Sequence, residues 1–257
     1  MSLSADVLAC AAIVERGDPW RFRGVMAAPV SARSVLFPLY AFNVEVARAP
    51  WVTQEPMIAE MRLQWWRDVC EEIAEGRPVR RHEVATPLAE VIGPEDARLL
   101  DALVAARRWD VYKDAFEDEA HFSQYLDRTA GNLMWVAARS LGEADEDVVR
   151  GAGFALGVAG WLCAIPALEA AGRVPLLDGT SEGVRRLARE AQDRLRAARR
   201  GRDRVSGAAR AALLPVGLAD RVLAAAVAEP AAVAEGRLPD PVAADRSLWW
   251  RALSGRW

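Results

Sequence analysis

Apolar positions along the chain recur at intervals of three and four, the period of a helix buried on one face. Ile58, Met61, Trp65 and Val69 fall at i, i+3, i+7 and i+11 and predict one apolar helix face that ends near Gly76. Thr53-Gln54-Glu55-Pro56 supplies a start for that helix, and Asp18-Pro19 does the same earlier: a polar cap, then proline in the first turn. Pro94-Glu95-Asp96 opens another helix, with Leu99, Leu103 and Ala106 on one side; segments 122–141 and 145–171 follow. Beyond Asp178, the Ala- and Arg-rich stretches 184–200 and 207–227 continue the pattern, with breaks at Gly201 and Pro215. No run alternates with period two for long enough to form a sheet, and no internal repeat is visible. The pattern predicts an all-α chain.

Residues 151–168 carry no charge between Arg150 and Glu169, and Gly153 and Gly157 have G-x-x-x-G spacing. Spanning a bilayer takes about 20 predominantly apolar residues. This run is short, rich in Ala and Gly and interrupted by Pro166. It predicts a helix buried among other helices, whose small residues permit close packing.

Composition narrows the class. With 52% hydrophobic and 27% charged residues the chain is globular rather than disordered. At 257 residues without a Ser/Gly/Pro-rich linker, it is expected to form one domain over 1–257. A net charge of −3 argues against general nucleic-acid binding. Cys10, Cys70 and Cys163 are odd in number and lack C-x-x-C spacing, so they predict reduced thiols and a cytoplasmic setting. No secretory signal is expected, because 1–16 carry Asp6 and Glu15 and no basic start before an apolar run. His82 and His121, far apart and without cysteine partners at ligand spacing, do not predict zinc. Phosphate-loop, dinucleotide and nucleophile-elbow motifs are absent.

Three blocks carry a resemblance. The first is 33–48, with Leu39-Tyr40-Ala41-Phe42-Asn43-Val44-Glu45, together with 57–68, ending Met61-Arg62-Leu63-Gln64-Trp65-Trp66-Arg67-Asp68. The second is Tyr125-Leu126-Asp127-Arg128-Thr129-Ala130-Gly131-Asn132, and the third runs from Gly157 to Gly172-Arg173-Val174-Pro175-Leu176. In this order they resemble the squalene/phytoene synthase family over about 18–178, with a divergent helical part over 179–257. The resemblance implies a helical bundle of the isoprenoid synthase type around a central apolar cavity.

Chemistry in that family needs Mg²⁺ held by paired carboxylates on two facing helices, where it stabilises a departing diphosphate. Here the expected acidic positions fall at about Ala47 and Trp51, with Arg48 between them. The second motif is replaced by Trp161-Leu162-Cys163-Ala164-Ile165-Pro166-Ala167-Leu168. Neither helix retains its pair, so the chain is expected to lack a metal site and a cofactor. Glu45 and Glu169 are the fallback carboxylates for a reduced Mg²⁺ site; the alternative is helical ion pairing of Glu45 with Arg48 and of Glu169 with Arg173. If the cavity persists, the resemblance implies a pocket drawing on Arg33, Tyr40, Asn43, Arg62, Trp65, Tyr125 and Gly131. Against this, Trp65 reads as core, Arg67 as the i+4 partner of Glu71, Gly131 as a close helix crossing and Tyr125 as a buried phenol bonded to a carbonyl. Trp51 and Trp161 could fill the cavity themselves.

Residues 185–204 contain nine Arg against Glu190, Asp193 and Asp203, and the chain ends Trp249-Trp250-Arg251 … Arg256-Trp257. This part suits either peripheral contact with an anionic membrane or folding back on the core. The blocks resemble most the branch that includes respiratory complex I assembly factors. That implies a catalytically degenerate protein acting in complex I assembly, with a respiratory subunit or assembly protein as partner, or in isoprenoid or lipid binding. Its place would be the cytoplasm, peripheral on the inner face of the membrane. The alternative is an active Mg-dependent prenyltransferase.

Overall fold

The computed structural model describes residues 3–240 and 247–257, and among them all regular structure is helical. The order is α1 (Ala5–Gly17), α2 (Pro19–Ala27), α3 (Arg33–Arg48), α4 (Pro56–Ala74), the short α5 (Ala85–Ala89), α6 (Pro94–Ala106), α7 (Glu119–Leu126), α8 (Asn132–Arg139), α9 (Glu146–Ala170), α10 (Ser181–Arg200), α11 (Val216–Ala228), the single turn α12 (Ala231–Ala234) and α13 (Ser247–Ser254). One apolar core runs from Val7 of α1 to Trp257 after α13.

Local signals account for many boundaries. Asp18 caps α2 with Pro19 in the first turn, Asp145 caps α9 by accepting from the Val148 amide at 3.1 Å, and Thr180 caps α10 through the Gly183 amide. Pro215 separates a 3₁₀ turn, Ala209–Leu213, from α11. The predicted helix over 122–141 is continuous but not uniform: α7 passes into a π-turn, Asp127–Gly131, before α8. Within that turn Thr129 Oγ1 donates to the Tyr125 carbonyl at 2.7 Å.

Helix α9 packs against the π-turn, α8, α10 and α11. By length and composition it could cross a bilayer, as could Ala209–Ala228, but most of each apolar stretch is buried inside the fold. The G-x-x-x-G spacing serves a close approach: a Cβ at Gly153 would lie 3.1 Å from the Ala130 carbonyl, and one at Gly157 would lie 2.8 Å from the Ala130 Cβ. The glycines thus let the π-turn rest on α9.

The face of α4 differs from the pattern reading. Ala59, Leu63, Trp66, Cys70 and Ile73 are buried, whereas Ile58 and Met61 are exposed and Trp65 is half-buried. Val69, also on the predicted face, is buried, so the buried stripe is shifted only in part, and the helix packs against α6. Arg67 also departs from expectation: it pairs with Asp101 of α6, at 2.7 and 3.2 Å, rather than with Glu71.

Candidate functional site

At the turn between α1 and α2, the Asp18 carboxylate accepts hydrogen bonds from the Arg21 amide at 3.0 Å and the Arg21 guanidinium at 2.5 Å. This pair lines a cleft of about 590 Å³. Asn43 and Ala47 of α3, Trp51, Arg107 and Asp110 of the 3₁₀ turn after α6, Tyr125, and the α9 face from Leu156 to Leu168 complete its wall. The central cavity implied by the resemblance is therefore present. The volume lies within the roughly 300–1,000 Å³ typical of small-molecule sites.

A buried polar network forms one side. Arg107 donates to Asp110 Oδ2 at 3.0 Å and to the Tyr125 oxygen at 2.7 Å, while the Tyr125 hydroxyl donates to the Asp110 carboxylate at 2.9 Å. Burial pushes the Tyr125 phenol up; Arg107 opposes that shift and Asp110 adds to it. Burial works against the charge on Arg107, yet Tyr125 and Asp110 together hold its guanidinium above the ordinary arginine range. Asp110 also contributes its backbone carbonyl, which accepts from Arg173. Arg173 donates to the Tyr112 carbonyl at 2.7 Å and lies over the Trp51 ring at 4.8 Å and the Trp109 ring at 5.7 Å.

Trp161 does not fill the cleft. Its ring sits in an aromatic cluster, 5.4 Å from Tyr125 and 5.6 Å from Phe122, and its indole donates to the Pro175 carbonyl at 3.0 Å. Trp51 stays half-exposed at the rim, held by Arg173. The self-filled cavity is thereby corrected: both indoles belong to the wall of a cleft that stays open.

The residues present do not fit Mg²⁺. Ala47 lines the cleft where an acid was expected, Arg48 pairs with Glu45 at 3.1 Å, and neither Glu45 nor the exposed Glu169 reaches the cleft wall. The predicted Glu169–Arg173 pair is absent, because Arg173 is taken by carbonyls and rings. Among the described residues the cleft's carboxylates are Asp18 and Asp110, each bonded to an arginine of the same cleft, and no cluster of three or more His, Cys, Asp or Glu could hold a metal. A divalent cation there would meet two guanidinium groups.

Of the pocket residues read from sequence, the structure brings Asn43 and Tyr125 to the cleft. Arg33 instead donates to the Met26 carbonyl at 3.2 Å, and Tyr40 is a core side chain whose hydroxyl donates to the Ala212 carbonyl at 3.4 Å. Arg62 is exposed, and Trp65 packs on Trp66, His82 and Arg80. Gly131 lies under Arg150 and Asp127, at the helix crossing. Tyr125 is bonded to a carboxylate and a guanidinium rather than to a carbonyl. Sequence reasoning missed Arg21, Arg107, Asp110 and the rim thiol of Cys163. An i, i+3 Arg–Asp pair was the one available signal for Arg107, and it is common on any helical surface.

A squalene/phytoene synthase family model matches residues 14–176. The complex I assembly factor 6 homolog of Drosophila melanogaster is 30% identical over 167 residues, 61% of this chain and 50% of that protein. Human complex I assembly factor 6 is 26% identical over 138 residues, 53% of this chain and 41% of that one. The chain thus spans half or less of the length of the curated relatives it matches. A ligand-bound dehydrosqualene synthase shares the fold with a TM-score of 0.72 at 13% identity, over 97% of this chain and 94% of that one. Squalene synthase HpnC from Alicyclobacillus acidocaldarius gives 0.68 at 19% identity, over 91% and 95%. With the expected blocks, the cavity and the helical architecture in place, the chain belongs to the squalene/phytoene synthase family.

Proposed function

We propose that this protein is a non-catalytic member of its family that acts in the assembly of respiratory complex I. One observation carries the reading: the cleft keeps its volume, but both of its carboxylates are bonded to arginines and the two expected acidic motifs are gone. The names of the fly and human relatives support the assembly role. The competing prenyltransferase reading has against it the placement of Glu45 and Glu169 outside the cleft wall. Deleting the gene in its own host tests the proposal, with assembled complex I measured on native gels and by NADH oxidation. Loss of the assembled complex with unchanged prenyl products is expected. Unchanged complex I together with loss of a prenyl product would refute it.

A second reading, in which the cleft binds an isoprenoid or lipid, is favoured by its apolar wall of Leu126, Leu156, Trp161 and Leu168. The proposed location is cytoplasmic and peripheral on the inner face of the membrane, and three free cysteines support a reducing compartment. The membrane-facing part would be α13. Its inner side is fixed by Leu248 and by Arg251 bonded to Asp220, while Trp249, Trp250 and Leu253 are exposed. Arg200, Arg202 and Arg256 are exposed and have no carboxylate partner among the described residues, which suits an anionic lipid surface.

A further inference from the structure

The charge balance of the cleft narrows what it can hold. Apart from Tyr125 and Cys163, its titratable side chains are Asp18, Arg21, Arg107 and Asp110, two acids and two cations. Each cation is already bonded to one of the acids, Arg21 to Asp18 and Arg107 to Asp110. Among the residues that line the cleft, a diphosphate would find no cation without a carboxylate partner and would face both carboxylates. Next to this neutral polar wall stands Asn43, 7% exposed, whose amide makes no hydrogen bond to any described residue. An amide offers two donors and an acceptor, and Asn43 lines the cleft with these groups unpaired. An uncharged hydroxyl or carbonyl oxygen can accept from this amide without meeting a like charge, with Leu126, Leu156 and Leu168 receiving an apolar chain.

We propose that the cleft binds an uncharged chain lipid ending in a hydroxyl or carbonyl oxygen, that Asn43 holds this oxygen, and that the corresponding diphosphate is rejected. The inference rests on the lipid-binding reading of the cleft. It departs from the diphosphate ligand that the family resemblance implies.

The probes are farnesol, farnesyl diphosphate with and without Mg²⁺, and the hydrocarbon farnesene. Binding is followed by the rise in Tm and located by protection of Cys163 from alkylation. Cys163 lines the cleft and is exposed, whereas Cys10 and Cys70 are buried and silent. The expected result is protection by farnesol, with a Kd for the diphosphate at least about tenfold higher. Asn43→Leu should weaken farnesol about five- to tenfold, the worth of one neutral hydrogen bond, and leave farnesene unchanged. Because Asn43 has no native partner, the variant is expected to fold. Diphosphate binding as tight as farnesol overturns the proposal while leaving the lipid-binding reading standing. Equal affinity of farnesol for the wild type and Asn43→Leu also overturns it. No protection by any of the three probes overturns both.

Discussion

Replacing Asp110 with Asn removes one charge from the buried Arg107–Asp110–Tyr125 network without changing its shape. The Asp110 side chain is 4% exposed and that of Arg107 is 21% exposed. Breaking a buried pair by removing one partner costs about 3–5 kcal/mol, and the partial exposure of Arg107 sets the expectation near the lower limit, about 3 kcal/mol. For a chain of this size that is a fall in Tm of about 6–12 °C. Tyr125→Phe, which leaves the 3.0 Å Arg107–Asp110 bond intact, should cost only about 1–2 kcal/mol. The exposed pair Arg67–Asp101, with both side chains 34% exposed, is the internal control, and Asp101→Asn should cost less than about 1 kcal/mol. A combined Arg107→Met and Asp110→Leu change should be milder than Asp110→Asn alone, because it leaves no charge behind. Urea denaturation of the series, fitted with a common m-value, gives the comparison. The reasoning fails if Asp110→Asn is no more destabilising than Asp101→Asn.

Alkaline pH probes the same burial from another side. Tyr40 and Tyr125 are pushed up by burial, Cys10 is pushed up to about 12 and Cys70 is also raised, so the folded chain keeps protons that the unfolded chain releases near pH 8.5 for Cys and 10 for Tyr. Stability is therefore fully present below about pH 8.5 and falls above it, approaching about 1.4 kcal/mol per pH unit for each such group; a urea midpoint that stays flat from pH 8 to 11 contradicts this. Gly157→Val should cost about 1–3 kcal/mol, since even a Cβ there would approach the Ala130 Cβ to 2.8 Å, and a thermal melt indistinguishable from wild type would show that the π-turn yields freely. Trp249→Ala with Trp250→Ala should leave Tm within about 2 °C while weakening sedimentation with anionic vesicles at least about tenfold, and unchanged sedimentation would remove α13 as the membrane contact.

Much of the scaffold was legible because its signals are local. Asp18-Pro19, Asp145 and Pro215 mark boundaries by capping and by a missing amide, and the charge-free run of α9 declares its burial. On α4 the same logic held for Val69 and half held for Trp65, but it failed at the start of the helix, where Ile58 and Met61 are exposed and Ala59 and Leu63 are buried. The cleft was legible only in part. Asn43 and Tyr125 fall within blocks that carry the family resemblance, but Arg107 and Asp110 meet Tyr125 across 15 to 18 residues, a separation that no spacing rule covers. Arg173 was assigned to Glu169 by proximity along the helix, whereas its partners lie more than 60 residues away.

Arg173 has a mechanical role that follows from those partners. A single guanidinium joins the start of the α9–α10 connection to the carbonyls of Asp110 and Tyr112 and to the indole of Trp51, and Asp110 and Trp51 both line the cleft. These segments cannot separate independently while it remains in place. Loss of this one side chain would therefore loosen all three segments together, although, among the described residues, none of them touches another through a carboxylate.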